Sequence, residues 1–478
     1  MNLLFVASEC APFVKTGGLA DVIGAVPKAL GALNINVKIL IPAYPALAEW
    51  VAKGDTVLSF GNLFGGPARV VSVQAEGLDM LLLEAPHLFD RAGSIYLGPD
   101  GNDWPDNDLR FGALSYVGAQ IALHGVEDWK PDVVNAHDWQ AGLLPVYLRQ
   151  SGQKAPPVVM TIHNIAFQGL FDATRMGVLG LNADMFTPEG IEYFGRIGFL
   201  KAGLALSEKI TTVSPTYAAE LLTPEFGMGL DGLLRGRQAD LSGILNGIDL
   251  DVWNPENDAD LVAPYSVRSL KGKAQNRAEV EARFGLTPSD GPLFCVVSRL
   301  TSQKGFDMLL ECLPNLVAQG GRLALVGSGD ADLERAFIEA SNRYAGSVGA
   351  IIGYDEGLSH LLQGGSDAIL IPSRFEPCGL TQLYGLRYGT LPVVAHTGGL
   401  ADTVIDANEA ALLANCATGF QFAPVNSPMF SHAITRACTL YRQPKIWAGM
   451  MRRAMRHPVG WDLSAAAYLD VYRAAQER

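Results

Sequence analysis

The segment 373–389, with the sequence SRFEPCGLTQLYGLRYG, holds a carboxylate next to a turn that opens a helix. It follows the apolar run 367–372, which has the character of a buried strand. A proline and a glycine shape the turn, and the apolar spacing beyond it predicts a helix. The first N–H groups of such a helix have no partner within it and can bind a phosphate. We expect these groups to belong to Gly379, Leu380 and Thr381.

Two side chains of this turn are candidates for chemistry. Glu376, at the end of the strand, can accept hydrogen bonds from sugar hydroxyl groups. Its alternative role is a carboxylate that only favours the helix dipole, but it precedes the helix by several residues, which favours binding. Cys378 is expected to line the site as a small residue, because nothing near it in the sequence offers the base that a cysteine nucleophile needs.

A second group, SRLTSQKGFD, places Arg299 and Lys304 just after the apolar run PLFCVV. In open α/β sheets ligands bind beyond the carboxyl ends of the strands, where two cations can meet a pyrophosphate. The alternative is a pair of surface cations on a loop. The position directly after a buried strand favours the binding role.

The third group is KTGGLAD, from Lys15 to Asp21. Gly17 and Gly18 leave room for a ligand to approach the backbone, the next helix offers N–H groups, and the lysine adds a positive charge. Together these form an anion site. Taken alone, the motif slightly favours the alternative, a tight strand-to-helix turn with a solvated lysine, since it is neither a dinucleotide fingerprint nor a P-loop.

Two further strand ends carry histidine with a polar neighbour, in NAHDWQAG and TIHNIAFQG. His137, Asp138, His163 and Asn164 are all expected at the cleft edge of a sheet. A single histidine is usually structural, but two such strand ends in series favour carbohydrate contacts. Trp139 is expected to offer a flat apolar face to a sugar ring.

The remaining motifs are less specific. Asn246, in LNGID, is by default a turn asparagine. Gly327 and Gly329, in ALVGSGD, suit either close approach by a nucleoside or a tight turn. Tyr354, in GYDE, can stack on a base. No motif of a metal hydrolase or a serine hydrolase occurs, so we predict neither a metal site nor hydrolase chemistry.

Composition narrows the class of protein. The 478-residue chain is 49% hydrophobic, but no apolar stretch is long enough to cross a bilayer. The net charge of −13 argues against a nucleic-acid partner and fits a neutral polymer or a small metabolite. The six scattered cysteines form no C-x-x-C pair, and the N-terminus lacks the basic start of a signal peptide. We therefore expect a cytoplasmic protein.

Short apolar runs alternate with amphipathic stretches, which is typical of βαβ units around a parallel sheet. Hairpins are predicted between about 55 and 85, and a last helix over 461–476. A crossing between domains, with little periodicity, is predicted from about 249 to about 291. The hexapeptide TGGLAD occurs twice, at 16–21 and 397–402. The repeat is consistent with two similar halves, or with chance or a local requirement of each turn. The predicted strands are 2–7, 36–43, 132–137, 157–163, 209–214, 242–247, 292–298, 322–327, 349–353, 367–372 and 391–396.

The motifs KTGGLADV, HDW, HN, NGID, RL-x-x-QKG, GSGD, GYDE and EPCGLTQ, in this order, resemble those of bacterial glycogen synthases and plant starch synthases. The resemblance covers the chain from the first strand to the closing helix. It implies an α/β fold of the GT-B type, with two Rossmann-like doubly wound domains facing a central cleft. The N-terminal domain would span 1–248, with the helix 457–478 packing back on it, and the donor domain 249–456.

The resemblance also implies roles for the candidate residues. Lys15, Gly17, Gly18, Arg299 and Lys304 would hold the diphosphate of ADP-glucose. The resemblance implies that Tyr354 would pack against adenine. The residues implied to bind the glucose are Glu376, His163 and Asp138. The remaining phosphate contacts would come from the turn that holds Cys378, Gly379, Leu380 and Thr381. The residues implied near the acceptor glucan are Asp21, Tyr96, Trp139, Asn164 and Asn246. Glu376, His163, Lys304, Arg299 and Lys15 would act in catalysis.

The activity implied is transfer of glucose from ADP-glucose to the non-reducing end of an α-1,4-glucan with retention of configuration, without a metal or cofactor. A front-face route is favoured over double displacement, because no secure second carboxylate is evident. The alternatives are a related transferase that uses UDP-glucose or another acceptor, and a non-catalytic glycan-binding protein. The second would be expected to have lost Arg299, Lys304 or Glu376, and all three are present.

Overall fold

The computed structural model describes residues 1–477, which divide into two compact units. Unit 1 comprises Met1–Ile244 and the segment that begins at Trp461, and unit 2 comprises Leu245–Gly460. The predicted boundaries after residues 248 and 456 differ from this division by a few residues at each crossing. The reason is a contact within unit 2, where the N–H of Ile248 donates to the carbonyl of Val459 at 2.8 Å.

The strands of unit 1 form a nine-stranded and a three-stranded sheet. They are β1 (Asn2–Val6), β2 (Asn36–Pro42), β3 (Asp55–Leu63), β4 (Gly66–Ala75), β5 (Leu78–Glu84), β6 (Val133–His137), β7 (Val158–Ile162), β8 (Leu170–Asp172), β9 (Glu192–Tyr193), β10 (Arg196–Gly198), β11 (Lys209–Thr212) and β12 (Leu241–Gly243).

The large sheet has the order β12-β11-β7-β6-β1-β2-β5-β4-β3. Its strands from β12 to β5 pair in parallel, and β3, β4 and β5 are joined as antiparallel hairpins. The predicted strands and the hairpins between about 55 and 85 are thus confirmed. Sequence reasoning missed the small antiparallel sheet β8-β10-β9, because strands of two or three residues carry no readable periodicity.

The helices of unit 1 cover the sheet and include the closing helix predicted from the sequence. They are α1 (Gly18–Gly31), α2 (Ala48–Lys53), α3 (Pro86–Phe89), α4 (Asn107–His124), α5 (Leu144–Gln150), α6 (Phe199–Leu206), α7 (Pro215–Glu220), α8 (Asp231–Gly236) and α18 (Asp462–Gln476). Helix α18 packs behind β6, where the hydroxyl of Tyr472 donates to Asn135 Oδ1 at 2.7 Å. Short 3₁₀ turns occupy Pro45–Leu47, Trp139–Ala141, Ala173–Met176, Ala183–Met185 and Gln238–Asp240.

Unit 2 is built on a six-stranded sheet that is parallel throughout, in the order β15-β14-β13-β16-β17-β18. Its strands are β13 (Leu293–Val297), β14 (Arg322–Gly327), β15 (Val348–Ile352), β16 (Ala368–Ile371), β17 (Leu391–Ala395) and β18 (Phe420–Phe422). Its helices are α9 (Lys271–Arg283), α10 (Phe306–Ala318), α11 (Ala331–Arg343), α12 (Glu356–Gly365), α13 (Thr381–Tyr388), α14 (Gly398–Thr403), α15 (Glu409–Leu413), α16 (Ser427–Tyr441) and α17 (Pro444–Arg456), with a 3₁₀ turn at Ser302–Lys304.

Both faces of this sheet are buried, as a doubly wound fold requires. Along β13, Phe294 and Val296 join the apolar cluster under α10 and α16, while Leu293 and Cys295 join the cluster under α9 and α12. Helix α9 lies in the region that the sequence suggested to be an irregular crossing. Sequence reasoning missed this helix because its apolar residues show only weak helical spacing. Its buried residues include polar ones such as Lys273.

Within residues 1–477 the structure contains no helix that is both long and apolar enough to span a membrane.

Candidate active site

The loops after β13 and β16, which are neighbouring strands, bring a lysine onto a carboxylate. Lys304 Nζ donates to Glu376 Oε2 at 2.5 Å, and the hydroxyl of Ser373 donates to the same oxygen at 2.9 Å. Both members of the ion pair are largely buried. Parallel strands that lie side by side end at the same edge, which is why residues so far apart in sequence meet there.

These side chains open onto a cavity of about 70 Å³ at the start of α13. Its lining includes Lys304, Ser373, Glu376 and the turn 379–382. The predicted residues Gly379, Leu380 and Thr381 therefore lie beside the predicted carboxylate. Gln382 was missed by sequence reasoning; its side-chain amide donates to the carbonyls of Cys378 and Gly379 and holds the turn against the helix.

Arg299 lies at the end of β13 with its side chain exposed. Among residues 1–477 it has no ion-pair or hydrogen-bond partner for its guanidinium group, so this charge is available to an anion. The glycines of the neighbouring GSGD loop serve packing. A Cβ at Gly327 or Gly329 would overlap the carbonyl oxygen of Ser298 or Leu300, so these two glycines belong to a tight turn.

Cys378 and Asn246 meet inside unit 2. Burial raises the pKa of the Cys378 thiol to about 12, and the backbone of Asn246 hydrogen-bonds the thiol. A thiol held in this way is a poor nucleophile, in agreement with the expected lining role. Within the described chain, the side-chain oxygen of Asn246 is buried and has no hydrogen-bond partner. Such an orphaned acceptor suits a ligand hydroxyl.

Tyr354 follows β15 and precedes α12, with 78% of its surface exposed. Most of this residue therefore faces solvent. Asp258, Asp260 and His360 come close enough together to suggest a metal site. The Asp258 carboxylate, however, already accepts hydrogen bonds from His360 Nδ1, from the Tyr388 hydroxyl and from the N–H of Asp260, so the geometry is that of a structural hydrogen-bond cluster.

In unit 1, the lysine and the aspartate of KTGGLAD pair with each other. Lys15 Nζ lies 2.7 Å from Asp21 Oδ1, and the lysine side chain is half exposed. A Cβ built on Gly17 or Gly18 would meet no atom within 4 Å. The fold of unit 1 therefore does not need glycine at these positions, whereas a ligand lying against the start of α1 would.

The second TGGLAD, at the start of α14, has glycines for the opposite reason. A Cβ on Gly398 would overlap the carbonyl of Glu376, and one on Gly399 would overlap the backbone of Cys378. These glycines let α14 pack against the turn that carries the candidate carboxylate. The two copies of the hexapeptide therefore differ in their surroundings. The start of α1 is open, whereas the start of α14 is packed against backbone.

Glu9, which sequence reasoning missed, connects the KTGGLAD turn to Tyr96. Its carboxylate accepts the N–H of Thr16 at 2.5 Å and the Tyr96 hydroxyl at 3.0 Å. The hydroxyls of Tyr96 and Ser8 lie 2.7 Å apart. Burial raises the pKa of Glu9, against the hydrogen bonds that lower it. The only sequence signal was a charged residue soon after the end of β1 at Val6.

The ends of β6 and β7 are tied together through Asp138. This residue has a φ of +53°, and its Oδ1 accepts the N–H of His163 at 2.7 Å. The N–H of Asn164 also hydrogen-bonds this carboxylate, but burial outweighs both bonds and raises the pKa of Asp138 to about 7. The Asn164 side chain accepts the N–H of Ala166 in a local turn.

Two expectations for this edge need correction. Trp139 is buried, with ring centroids 5.0, 5.8 and 6.1 Å from those of Phe111, Phe171 and Phe199, so the structure gives it a packing role instead of an open face for a sugar. His137 is fully buried, so it does not line an open site. Its neighbours are Phe5 and His163.

Comparison with known proteins identifies the family of the chain. Residues 2–236 match the family model described as the starch synthase catalytic domain, and residues 279–449 match the glycosyl transferases group 1 model. The catalytic domain of starch synthase IV from Arabidopsis thaliana, solved bound to ADP and acarbose, has a TM-score of 0.87 and 30% identity, covering 100% of this chain and 99% of that one. The chain is a glycosyltransferase of the GT-B fold class.

Relatives specify the family further. Glycogen synthases of Roseobacter denitrificans and Paracoccus denitrificans are 66% and 56% identical to the chain, each match covering 99% of both sequences. The chain belongs to the family of the bacterial glycogen synthases and plant starch synthases. Sucrose-phosphate synthase from Thermosynechococcus elongatus, at 17% identity and a TM-score of 0.59, covering 99% of this chain and 98% of that one, shares the fold alone.

Proposed function

We propose that this enzyme transfers glucose from ADP-glucose to the non-reducing end of an α-1,4-glucan, retaining the anomeric configuration and releasing ADP. The observation that carries the proposal is the Lys304–Glu376 pair, which faces the cavity at the start of α13. Lys304 supplies a positive charge that can stabilise a leaving diphosphate, and Glu376 supplies a carboxylate that can bind a sugar. The ADP and acarbose bound to the starch synthase relative support the same choice of donor and acceptor.

Charge on the leaving diphosphate grows as the bond to the glucose C1 breaks. In unit 2, Arg299, Lys304 and the first N–H groups of α13 are fixed donors that stabilise this charge. In unit 1, Lys15 and the open start of α1 offer donors of the same kind. Because fixed donors supply the stabilisation, we propose that the reaction needs neither a metal ion nor a cofactor.

Sugar contacts are proposed within each unit. In unit 2, Glu376 is proposed to bind the transferred glucose, with Cys378 lining its site and Tyr354 stacking on the adenine. In unit 1, the residues proposed to contact glucose are His163 and Asp138. The acceptor contacts are Asp21, Tyr96, Asn164 and Asn246, of which Asn246 offers the buried carbonyl oxygen described above. Trp139 is not proposed to contact the glucan, because its ring packs against phenylalanine rings.

The contacts of Glu376 favour a front-face route over a covalent intermediate. Glu376 Oε2 already accepts hydrogen bonds from Lys304 and Ser373, which stabilise its negative charge and weaken it as a nucleophile. The leaving phosphate then serves as the base for the incoming hydroxyl group. A covalent glucosyl adduct trapped on Glu376 would overturn this route.

The test is an assay of the purified chain with glycogen and either ADP-glucose or UDP-glucose. The proposal expects ADP release to equal glucose incorporation, faster turnover with ADP-glucose, and full activity after treatment with EDTA. Faster turnover with UDP-glucose would favour the related transferase. Binding of glycogen without incorporation from either donor would favour the non-catalytic alternative.

A cytoplasmic location and the absence of a nucleic-acid partner stay predictions. All six cysteines are free of disulfides, and the chain is acidic overall. Both features fit a reducing compartment and a neutral polymer as substrate. Fractionation of the producing cells, with activity followed in each fraction, tests the location.

A further inference from the structure

His137 and His163 form a hydrogen-bonded pair of imidazoles inside unit 1. His137 Nδ1 lies 3.0 Å from His163 Nε2, and the rings are tilted by 36°. His137 ends β6 and is fully buried, whereas His163 follows β7 and keeps 9% of its surface exposed. Of the two rings, only that of His163 can therefore contact a substrate, and His137 contacts His163 on its buried side.

Both imidazoles are held neutral. Burial lowers the pKa of His163 to about 3, and burial with the neighbouring imidazole lowers the pKa of His137 well below its usual value. In a neutral pair one ring donates a hydrogen bond and the other accepts it. The pair therefore has two possible arrangements, and they leave opposite hydrogen-bonding groups on the outer nitrogen of His163.

The second nitrogen of His137 distinguishes the two arrangements. His137 Nε2 is buried and has no hydrogen-bond partner within residues 1–477. A proton there would leave a buried N–H donor unsatisfied, which is rarer in proteins than an unsatisfied acceptor. The favoured arrangement places the proton of His137 on Nδ1, from which it is donated to His163 Nε2.

We propose that His137 is a positioning residue, which holds His163 in the neutral tautomer that carries its proton on Nδ1 and so presents an N–H donor to a hydroxyl oxygen of the transferred sugar. The proposal rests on the proposed function only for the identity of that sugar. Among the described residues nothing hydrogen-bonds His163 Nδ1, and Asp138 fixes the backbone N–H of His163 at 2.7 Å. Ring and backbone of His163 are thus positioned by two different neighbours.

Substitutions at position 137 separate the hydrogen bond from packing. An asparagine places its amide where His137 Nδ1 lies, so His137→Asn keeps a donor to His163. A glutamine reaches the position of Nε2, and a phenylalanine fills the space without any donor. Tyr472→Phe is the matched control, because it removes a buried hydrogen bond behind β6 that does not involve His163.

The deciding measurement is the nitrogen NMR spectrum of the full-length enzyme labelled with ¹⁵N-histidine, in which protonated and bare ring nitrogens resonate far apart. The His163 signals are assigned by their loss in His163→Asn. The proposal expects a protonated Nδ1 and a bare Nε2 on His163 in the parent, in His137→Asn and in Tyr472→Phe, and a mixture of tautomers in His137→Phe and His137→Gln. A bare Nδ1 in the parent overturns the proposal even if every variant fails to fold.

Kinetics provide the second readout. His137→Phe should lower kcat with ADP-glucose by about tenfold or more, the usual scale when a group that orients a histidine is lost. His137→Asn should restore most of this loss, with the KM for ADP-glucose changing less than kcat in both variants. Parent-like kcat in a folded His137→Phe overturns the proposal. A parent that makes no glucan contradicts the proposed function instead, and the tautomer measurement still stands.

Discussion

Lys304 Nζ lies 2.5 Å from Glu376 Oε2, and this ion pair joins the ends of two adjacent parallel strands of unit 2. The contact places a positive charge and the carboxylate proposed to bind sugar on one cavity. In the free enzyme each group satisfies the other. Removal of either one therefore changes both the charge available to a leaving group and the position of its partner.

Lys304→Ala should lower kcat by about 10²-fold or more, because a preorganised charge at the leaving group is lost. The rate is measured as ADP release at saturating ADP-glucose and glycogen. Arg335→Ala is the control, since Arg335 pairs with Asp332 on the exposed surface of the same unit. A Lys304→Ala rate within a few-fold of the parent would contradict the assigned role.

Arg299→Ala should lower the rate by about 10²-fold or more as well, while leaving the melting temperature almost unchanged. Its exposed guanidinium makes no ion pair within residues 1–477, so no folded-state contact is lost. Thermal unfolding and turnover are measured on the same preparations. A marked fall in melting temperature would show that Arg299 is structural.

Alanine at the two TGGLAD sites should separate binding from folding. Gly17→Ala adds a Cβ in open space and should raise the KM for ADP-glucose without lowering the melting temperature. Gly399→Ala forces a Cβ into the backbone of Cys378 and should destabilise unit 2 by about 1–3 kcal/mol. Equal loss of stability in both variants would contradict the distinction between an open and a packed helix start.

The pH dependence of kcat/KM should reflect Asp138. Because burial raises the pKa of this carboxyl to about 7, the folded protein holds a proton there that the unfolded chain has lost. Stability from the neutral acid is thus present at low pH and is lost as the pH rises through about 7. Under the proposed function the ionised form of Asp138 accepts a hydrogen bond from a sugar hydroxyl, so kcat/KM should rise through the same range.

Asp138→Asn is the variant that tests this assignment. An amide does not ionise, so the step in kcat/KM near pH 7 should disappear and the activity should stay low. Persistence of the step in Asp138→Asn would assign it to a different group.

Lys273→Met should destabilise unit 2 by about 2–3 kcal/mol, since buried acceptors lose their donor. Lys273 Nζ donates to Thr390 Oγ1 at 2.7 Å and reaches the carbonyls of Gln363, Gly364 and Tyr388 at 3.1–3.3 Å, near the ends of α12 and α13. Denaturant unfolding measures the loss. Lys271→Met, an exposed change on the same helix, is the matched control and should stay near the parent.

The strands, the presence of two α/β units and the polar strand ends could be predicted from the sequence. This follows because buried parallel strands read as apolar runs, and because ligands in such sheets bind beyond the carboxyl ends. This rule singled out Glu376, Lys304 and Arg299 as candidates. The family resemblance then gave these residues roles that their own spacing left open.

Which of these side chains contact one another, and which are buried, became known from the three-dimensional packing. The sheet order places β13 beside β16, so Lys304 pairs with Glu376 across 72 positions of sequence. In unit 1, a different set of contacts buries Trp139 among phenylalanine rings and His137 against His163. Burial and long-range pairing depend on the neighbours supplied by other elements, and a local sequence pattern does not contain them.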